Sequence, residues 1–374
     1  MLDFAVGFIG SFLVLYIIVH SASMHGSLSM DHDLHGIQKN HAYAVPRIGG
    51  IGIACAAVVT SVAQPIWSTG SNAPNLILLL CAVPAFTSGV AEDLTKRVSP
   101  RVRLLCALAS AFAACITLQA VLTRIDLPYL DKWMRFTPFA VAFTVFGVSG
   151  FTNAINIIDG FNGLASVVAM LIFASIGYVA QDVGDHLVLS VALTMLGAIS
   201  GFVPWNFPAP SVFLGDGGAY LTGFIAAELM VLLVVRHPGV SAWYPIAVSI
   251  YPTFETLFSI YRRKVIRGRP AGAPDGLHLH TLIYRRVVRK NPDSRNLRQC
   301  TRRNSMTSVY LWALSLISIV PSTFFSSSPV VLAGVIVTFV IIYLWFYSSI
   351  VTFRIPNWIM PVRTTSVVVE HPRH

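Results

Sequence analysis

The chain has 374 residues, 55% of them hydrophobic and only 11% charged, against about 25% charged in a typical soluble domain. That composition excludes an ordinary soluble protein and points to an integral membrane protein with several spans. The net charge of +10 does not indicate a nucleic-acid reader, because thirteen of the 26 Lys and Arg residues lie between Arg262 and Arg303, in one stretch between apolar spans, where they suit anionic lipid or nucleotide phosphates.

In chain order, eleven apolar stretches read as membrane helices: about 3–20, 48–67, 76–91, 102–123, 137–158, 161–180, 186–204, 217–235, 242–261, 307–325 and 330–350. A span needs about 20 apolar residues. The first stretch carries Asp3 where a signal peptide would be basic, so it reads as a retained helix. With the N-terminus outside, inner loops hold 22 Lys and Arg residues and outer loops hold 4. This bias predicts an outside N-terminus and a cytoplasmic C-terminus. The expected fold is therefore all-α and polytopic. One transmembrane domain covers 1–353, with a cytoplasmic basic loop at 262–306, and a polar tail follows at 354–374. Residues 124–136 read as a short amphipathic segment at the outer interface. Four of the five cysteines sit in spans and none forms a CxxC pair, so neither a disulfide nor a zinc site is expected.

Hydrocarbon excludes charge, so acids gathered at one membrane face mark function. Five motifs share the cytoplasmic side of this topology. The first runs from Lys39 to Gly50 and ends Pro46-Arg47-Ile48-Gly49-Gly50. Arg47 can grip a phosphate with two parallel bonds, and the two glycines allow close backbone approach. The second is Glu92-Asp93-Leu94-Thr95-Lys96-Arg97. Its adjacent carboxylates repel unless a cation neutralises them. Lys96 and Arg97 do so in one reading, and a metal or a lipid phosphate in the other.

The third motif is Asn153 to Gly163, in which Asn153, Asn156 and Asp159 recur every third residue on one helix face. They could clasp a neighbouring helix, or supply the amides and carboxylate that a nucleobase and ribose require. The fourth is Val212-Phe213-Leu214-Gly215-Asp216-Gly217-Gly218. The amides of Gly217 and Gly218 form an anion-binding helix start. Asp216 is either the cap of that helix or, with a diphosphate above it, a magnesium ligand. The fifth runs from Gly272 through Asp275 to His278, His280 and Thr281. The two histidines share a face only in extended chain, and they read as phosphate-site or solvated residues. Glu228 and Glu255 lie inside spans and default to structural roles, Glu255 beside Pro252 being the better functional candidate.

In order and sidedness, these motifs resemble those of the polyprenyl-phosphate N-acetylhexosamine-1-phosphate transferases, a family that includes the phospho-N-acetylmuramoyl-pentapeptide transferase. The likeness covers about residues 30 to 350. It implies that undecaprenyl phosphate attacks the β-phosphorus of a UDP-sugar, releasing UMP at the cytoplasmic face of a bacterial inner membrane. It implies magnesium, with manganese as a substitute, and a homodimer. By matching positions, Asp93 and Asp216 would organise the metal and Phe213 would stack on uracil. Asn153 and Asp159 would lie at the nucleoside, with Asn156 on the same face. Glu92, Asp93 and Lys96 would flank the lipid phosphate, and Arg47, His278 and His280 would bind the UDP-sugar. The candidate catalytic set is Glu92, Asp93, Asp159 and Asp216.

Three positions depart from the family pattern. Glu92 replaces the first Asp of a usual Asp-Asp pair, Asn162 stands where a second acid is common, and the His-Leu-His run lacks a final histidine. That last form is closer to the plain N-acetylhexosamine branch than to the muramoyl-pentapeptide enzyme. A phosphate monoester loses its second proton near pH ~6, so a general base gains little. Cancelling charge between two anions is the larger task. A transporter, the rival class, would carry its polar groups near mid-membrane with repeat symmetry. Here they gather at the span ends.

Overall fold

A computed structural model describes residues 1–21, 26, 44–68, 71–268, 276–288 and 297–354. Residues 39–43 of the first motif, Asp275 and the tail beyond Arg354 lie outside the described residues. Within them the fold is all-α, with ten helices long and apolar enough to cross a membrane.

The helices are α1 (Leu2–His20), α2 (Gly49–Ala63), α3 (Ala73–Thr95), α4 (Pro100–Thr117), the short α5 (Pro128–Met134), α6 (Thr137–Ile158), α7 (Leu164–Asp182), α8 (His186–Asn206) and α9 (Gly215–Arg236). Then come α10 (Tyr244–Val248), α11 (Ile250–Tyr261), α12 (Leu279–Leu282), α13 (Leu297–Phe324) and α14 (Pro329–Val351). Several starts carry the expected local signals. Ser99, Asp185 and Ser328 accept backbone N–H groups of α4, α8 and α14, satisfying donors that a helix start leaves open.

Helix α9 is the axis of the bundle. Nearly all its side chains are buried, and it touches α2, α3, α4, α6, α7 and α8. A helix apolar on every face is what such a position requires. Small residues let the backbones meet where lipid supplies no hydrophobic drive. A Cβ on Gly50 would overlap the backbone of Gly218, and one on Gly89 would overlap Asp216 and Gly217. The starts of α2 and α9 and the end of α3 therefore cross in direct backbone contact.

The expected ninth span, 242–261, is two helices broken at Ser249. Pro252 has no N–H to give the carbonyl of Val248, so the ladder is interrupted there. The broken pair still returns the chain along the bundle. At one end, Arg124 donates to the carbonyls of Pro238 and Val240, and the Ser241 N–H bonds Ser326. At the other end, past α11, His280 packs on Phe161 with ring centroids 5.4 Å apart. Ten long helices plus this broken pair fill the eleven expected spans.

Within the basic stretch 262–306, which the sequence reads as a cytoplasmic loop, several of the described residues are helical. The backbone continues past α11 in a wide turn over Arg262–Ile266. Residues 279–288 are helical and mostly buried. Helix α13 starts at Leu297, ten residues before the expected span, so Arg298, Arg302 and Arg303 lie on its first turns. Helix α4 ends at Thr117 instead of near 123, with Gln119 at φ 53. The amphipathic segment is α5, with Tyr129 and Trp133 exposed.

Candidate active site

Three of the four expected acidic segments meet at one end of the bundle. Asp93 ends α3 and is buried. Its Oδ1 accepts the Asp216 N–H and its Oδ2 the Gly217 N–H, both at 2.9 Å. The anion site expected at the start of α9 is thus filled by a side chain of this protein. Gly215 makes this possible. Its φ is +75°, and a side chain there would overlap the Arg47 carbonyl and the Asp93 carboxylate.

Asp216, one residue into α9, faces cations. Its Oδ1 accepts from Asn156 Nδ2 at 3.0 Å and lies 3.4 Å from Arg47 Nη2. Its Oδ2 is paired with Arg103 Nη1. Arg47 Nε lies 3.6 Å from Asp93, and the same guanidinium acts electrostatically on Asp159. Arg47 is the hub because its segment is tied to the α9 entry. Phe213 N–H bonds the Pro46 carbonyl at 2.8 Å, and the N–H groups of Gly49 and Gly50 bond Phe213 and Leu214, each at 2.9 Å.

Asp159 follows the last residue of α6. Burial pushes its carboxyl up to about 7, against the lowering pull of Arg47. On the same face Asn153 accepts the Tyr220 hydroxyl at 3.1 Å. Asn153 and Asn156 therefore clasp α9, Asn156 through Asp216 itself. Glu92 turns away from this centre, its Oε2 accepting the Val98 N–H at 2.8 Å. Lys96 is exposed at φ 54 and closes α3. Phe213 is half-buried, docked through its backbone.

His278 and His280 are buried, not solvated. The extended conformation of His278 before α12 places both rings on one side, 5.0 Å apart and within 7° of parallel. His280 lies against Gly160 and Phe161, beside Asp159. His278 Nδ1 bonds Glu255 Oε1 at 2.9 Å. Glu255, His278 and His280 bring ligand atoms within 4.8 Å of one another and could hold a metal ion.

Sequence reasoning left Asn206 without a role and set Arg103 only at the interface beside the acidic pair. Arg103 pairs with Asp216 and lies over the Tyr220 ring; its position on the first turn of α4, just past the acidic pair, was the available signal. Asn206 holds the Gly163 N–H at 2.6 Å and the Val212 carbonyl at 2.9 Å, joining the third and fourth motifs. Asn162 is a structural staple: its N–H bonds Asn304 and its amide bonds the Pro208 carbonyl. A cavity of about 470 Å³ lined by Phe207, Pro208, Arg298 and Met306 contains none of the expected site residues, so volume alone does not locate the chemistry.

The metal-ligating atoms at Asp216 are carboxylate oxygens, which suit a hard cation such as magnesium. The Glu255 group offers two imidazole nitrogens and would suit a softer metal. Arg47 and Arg103 show what the acid cluster demands in either case: positive charge between carboxylates that would otherwise repel.

Residues 75–234, from α3 through α9, match the model of glycosyl transferase family 4. Among curated relatives, the chain is 28% identical over 281 residues to the probable undecaprenyl-phosphate N-acetylglucosaminyl 1-phosphate transferase of Bacillus subtilis, covering 75% of this chain and 77% of that one. It is 27% identical to the undecaprenyl-phosphate alpha-N-acetylglucosaminyl 1-phosphate transferase of Thermotoga maritima, covering 67% of this chain and 72% of the relative. The phospho-N-acetylmuramoyl-pentapeptide-transferase of Clostridium perfringens is 29% identical, over 52% of this chain and 62% of its own.

Proposed function

We propose that this protein transfers a sugar-1-phosphate of N-acetylhexosamine type from a UDP-sugar to undecaprenyl phosphate, releasing UMP and starting a lipid-linked surface polysaccharide. The observation that carries this reading is the meeting of Arg47, Asp93 and Asp216 at one end of a membrane bundle, with Asp159 in the electrostatic reach of Arg47. An oxygen of the lipid phosphate attacks the β-phosphorus of the UDP-sugar. The bond to the bridging oxygen breaks, and UMP leaves with that oxygen.

The residues divide the work by geometry. Arg47 and Arg103 balance Asp216 before substrate arrives and turn to the diphosphate oxygens when it binds. Asp93 fixes the start of α9, and with it the Asp216 carboxylate. Asp216 is the residue that would hold magnesium, with Asp93 next to it. A magnesium ion held there would supply positive charge to offset the phosphates during the in-line attack. Asn153, Asn156 and Asp159 present the polar face for the nucleoside, Phe213 the ring for uracil, and His278 and His280 the groups that meet the UDP-sugar from the opposite wall. Glu92 and Lys96 border the approach of the lipid phosphate.

The site end of the bundle is the cytoplasmic one in this reading, because 22 of the 26 Lys and Arg residues fall on that side. The N-terminus is then outside and the C-terminus inside, in a bacterial inner membrane, with a homodimer as the expected assembly. The test is UMP release by purified protein across a panel of UDP-sugars, including UDP-N-acetylmuramoyl-pentapeptide. Release from a UDP-N-acetylhexosamine that needs both undecaprenyl phosphate and a divalent cation supports the reading. No release, or release that ignores the lipid, overturns it.

A further inference from the structure

Glu255 lies inside α11, fully buried, 23 residues before His278. A carboxylate in that setting is costly unless every lone pair is met. Three donors meet it. Glu255 Oε1 accepts His278 Nδ1 at 2.9 Å and the Leu279 N–H at 3.2 Å, and Oε2 accepts the Tyr343 hydroxyl at 2.7 Å. Tyr343, on α14, is itself fully buried. Three separate elements, α11, α14 and the start of α12, thus converge on one side chain.

This arrangement has a direction. The bond from Glu255 places a proton on Nδ1 of His278, so any contact the ring makes with a ligand is made by Nε2. The stacked ring of His280 reaches Gly160 and Phe161, the turn that follows Asp159. The histidine pair therefore spans from the Glu255 anchor to the acid cluster. A metal held by the same three residues would have to displace the Nδ1 proton and break the bond to Glu255, so the observed bonds favour an anchored imidazole.

We propose that Glu255, braced by Tyr343, is a positioning residue that holds His278 with Nε2 turned to the diphosphate of the nucleotide sugar. The inference rests on the transferase reading above and gives that site an anchor that the acid motifs do not supply.

The test pairs a turnover readout with a binding one. Glu255→Gln keeps the shape and removes the charge. It should raise KM for the UDP-sugar about 10-fold with kcat changed by less than about 3-fold, the pattern of a lost binding contact. Glu255→Asp, which keeps the charge, should recover part of that loss. In a His278→Ala background Glu255→Gln should add nothing, since it acts through that ring. UDP affinity, titrated without turnover, should fall about 10-fold in Glu255→Gln. Should Glu255→Gln not fold, Tyr343→Phe is read the same way, with UDP binding weakened about 2–5-fold only when His278 is present. A fall in kcat alone, losses that multiply in the His278→Ala background, or unchanged UDP binding overturns the proposal. An absence of UMP release by the wild-type protein counts instead against the transferase reading, and the UDP titration still decides the role of Glu255.

Discussion

Asp93 holds the first turn of the helix that carries Asp216: its two carboxylate oxygens take the backbone N–H groups of Asp216 and Gly217, each at 2.9 Å. The two acids are 123 residues apart in the chain and are joined through backbone as well as through Arg47, which lies near both carboxylates. Asp93 thereby acts as the cap of a helix it does not belong to, and it sets where the Asp216 carboxylate stands.

This bond pair predicts the behaviour of Asp93→Asn. An amide offers one oxygen where two N–H groups point, and its NH₂ faces a donor. A cap of this kind contributes about 0.5–2 kcal/mol, and misplacing Asp216 adds a loss in rate. Activity should be severely reduced at every pH from 6 to 9. A pH–rate profile checks this. Recovery to near the wild-type rate at pH 8–9 would instead make Asp93 a base that takes the lipid phosphate proton.

Gly50→Ala should disrupt the site from a distance. The added Cβ would overlap the Gly218 backbone, which cannot yield as a flexible side chain could. Overpacking of this sort costs about 1–3 kcal/mol, and here it also separates Arg47 from Asp216. Gly147→Ala is the control, since a Cβ there meets nothing within 4 Å and helix propensity favours the change. Thermal melts should show a lower melting temperature for Gly50→Ala and none for Gly147→Ala.

Arg103 is the second cation on Asp216. Arg103→Ala should reduce kcat/KM by about 10–100-fold, and Arg103→Lys should lose less, because the charge is kept but the planar fork is not. Equal losses in the two variants would show that charge contributes little there. Steady-state kinetics with each variant separates the cases.

Asp159 gives a pH dependence with a definite sign. Desolvation holds its carboxyl up to about 7 in the folded protein, well above the ordinary carboxylate range. The unfolded chain releases the proton first, so this group lowers stability as pH rises from about 4 to 7, with no further change above. Asp159→Asn removes the effect. The melting-temperature gap between variant and wild type should widen from pH 5 to 7 and stay level from 7 to 9. A gap that does not vary with pH contradicts the desolvation of this carboxyl.

The spans and the acid cluster were legible in the sequence for a physical reason. Long apolar runs have few alternatives to membrane helices, and carboxylates at their ends, flanked by glycines such as Gly215 and Gly217, are costly unless used. Sidedness then predicted that Asp93, Asp159 and Asp216 would share one end, and they do. Long-range pairing was not legible. Nothing local links Glu255 to His278 or Tyr343, and the basic residues around 262–306 masked a buried helical turn because charge count says nothing of packing. The break at Ser249 was hidden too, since Pro245 and Pro252 sit inside a run whose hydropathy alone reads as continuous. Asn153 and Asn156 were correctly placed on one face, but the α9 groups they bond, Tyr220 and Asp216, are fixed only by the fold.

The most direct measurement is transfer of labelled sugar phosphate from UDP-N-acetylglucosamine to undecaprenyl phosphate by purified protein, wild type beside Asp216→Asn, at saturating magnesium. The account predicts a lipid-linked product formed with one UMP per transfer by the wild type. It predicts a loss of about 10²–10³-fold or more in Asp216→Asn, with the variant still folded by thermal melt. Near-wild-type transfer by Asp216→Asn would contradict the placement of the site at the Asp93–Asp216 junction, and the absence of lipid-linked product from wild type with any UDP-N-acetylhexosamine would contradict the function itself.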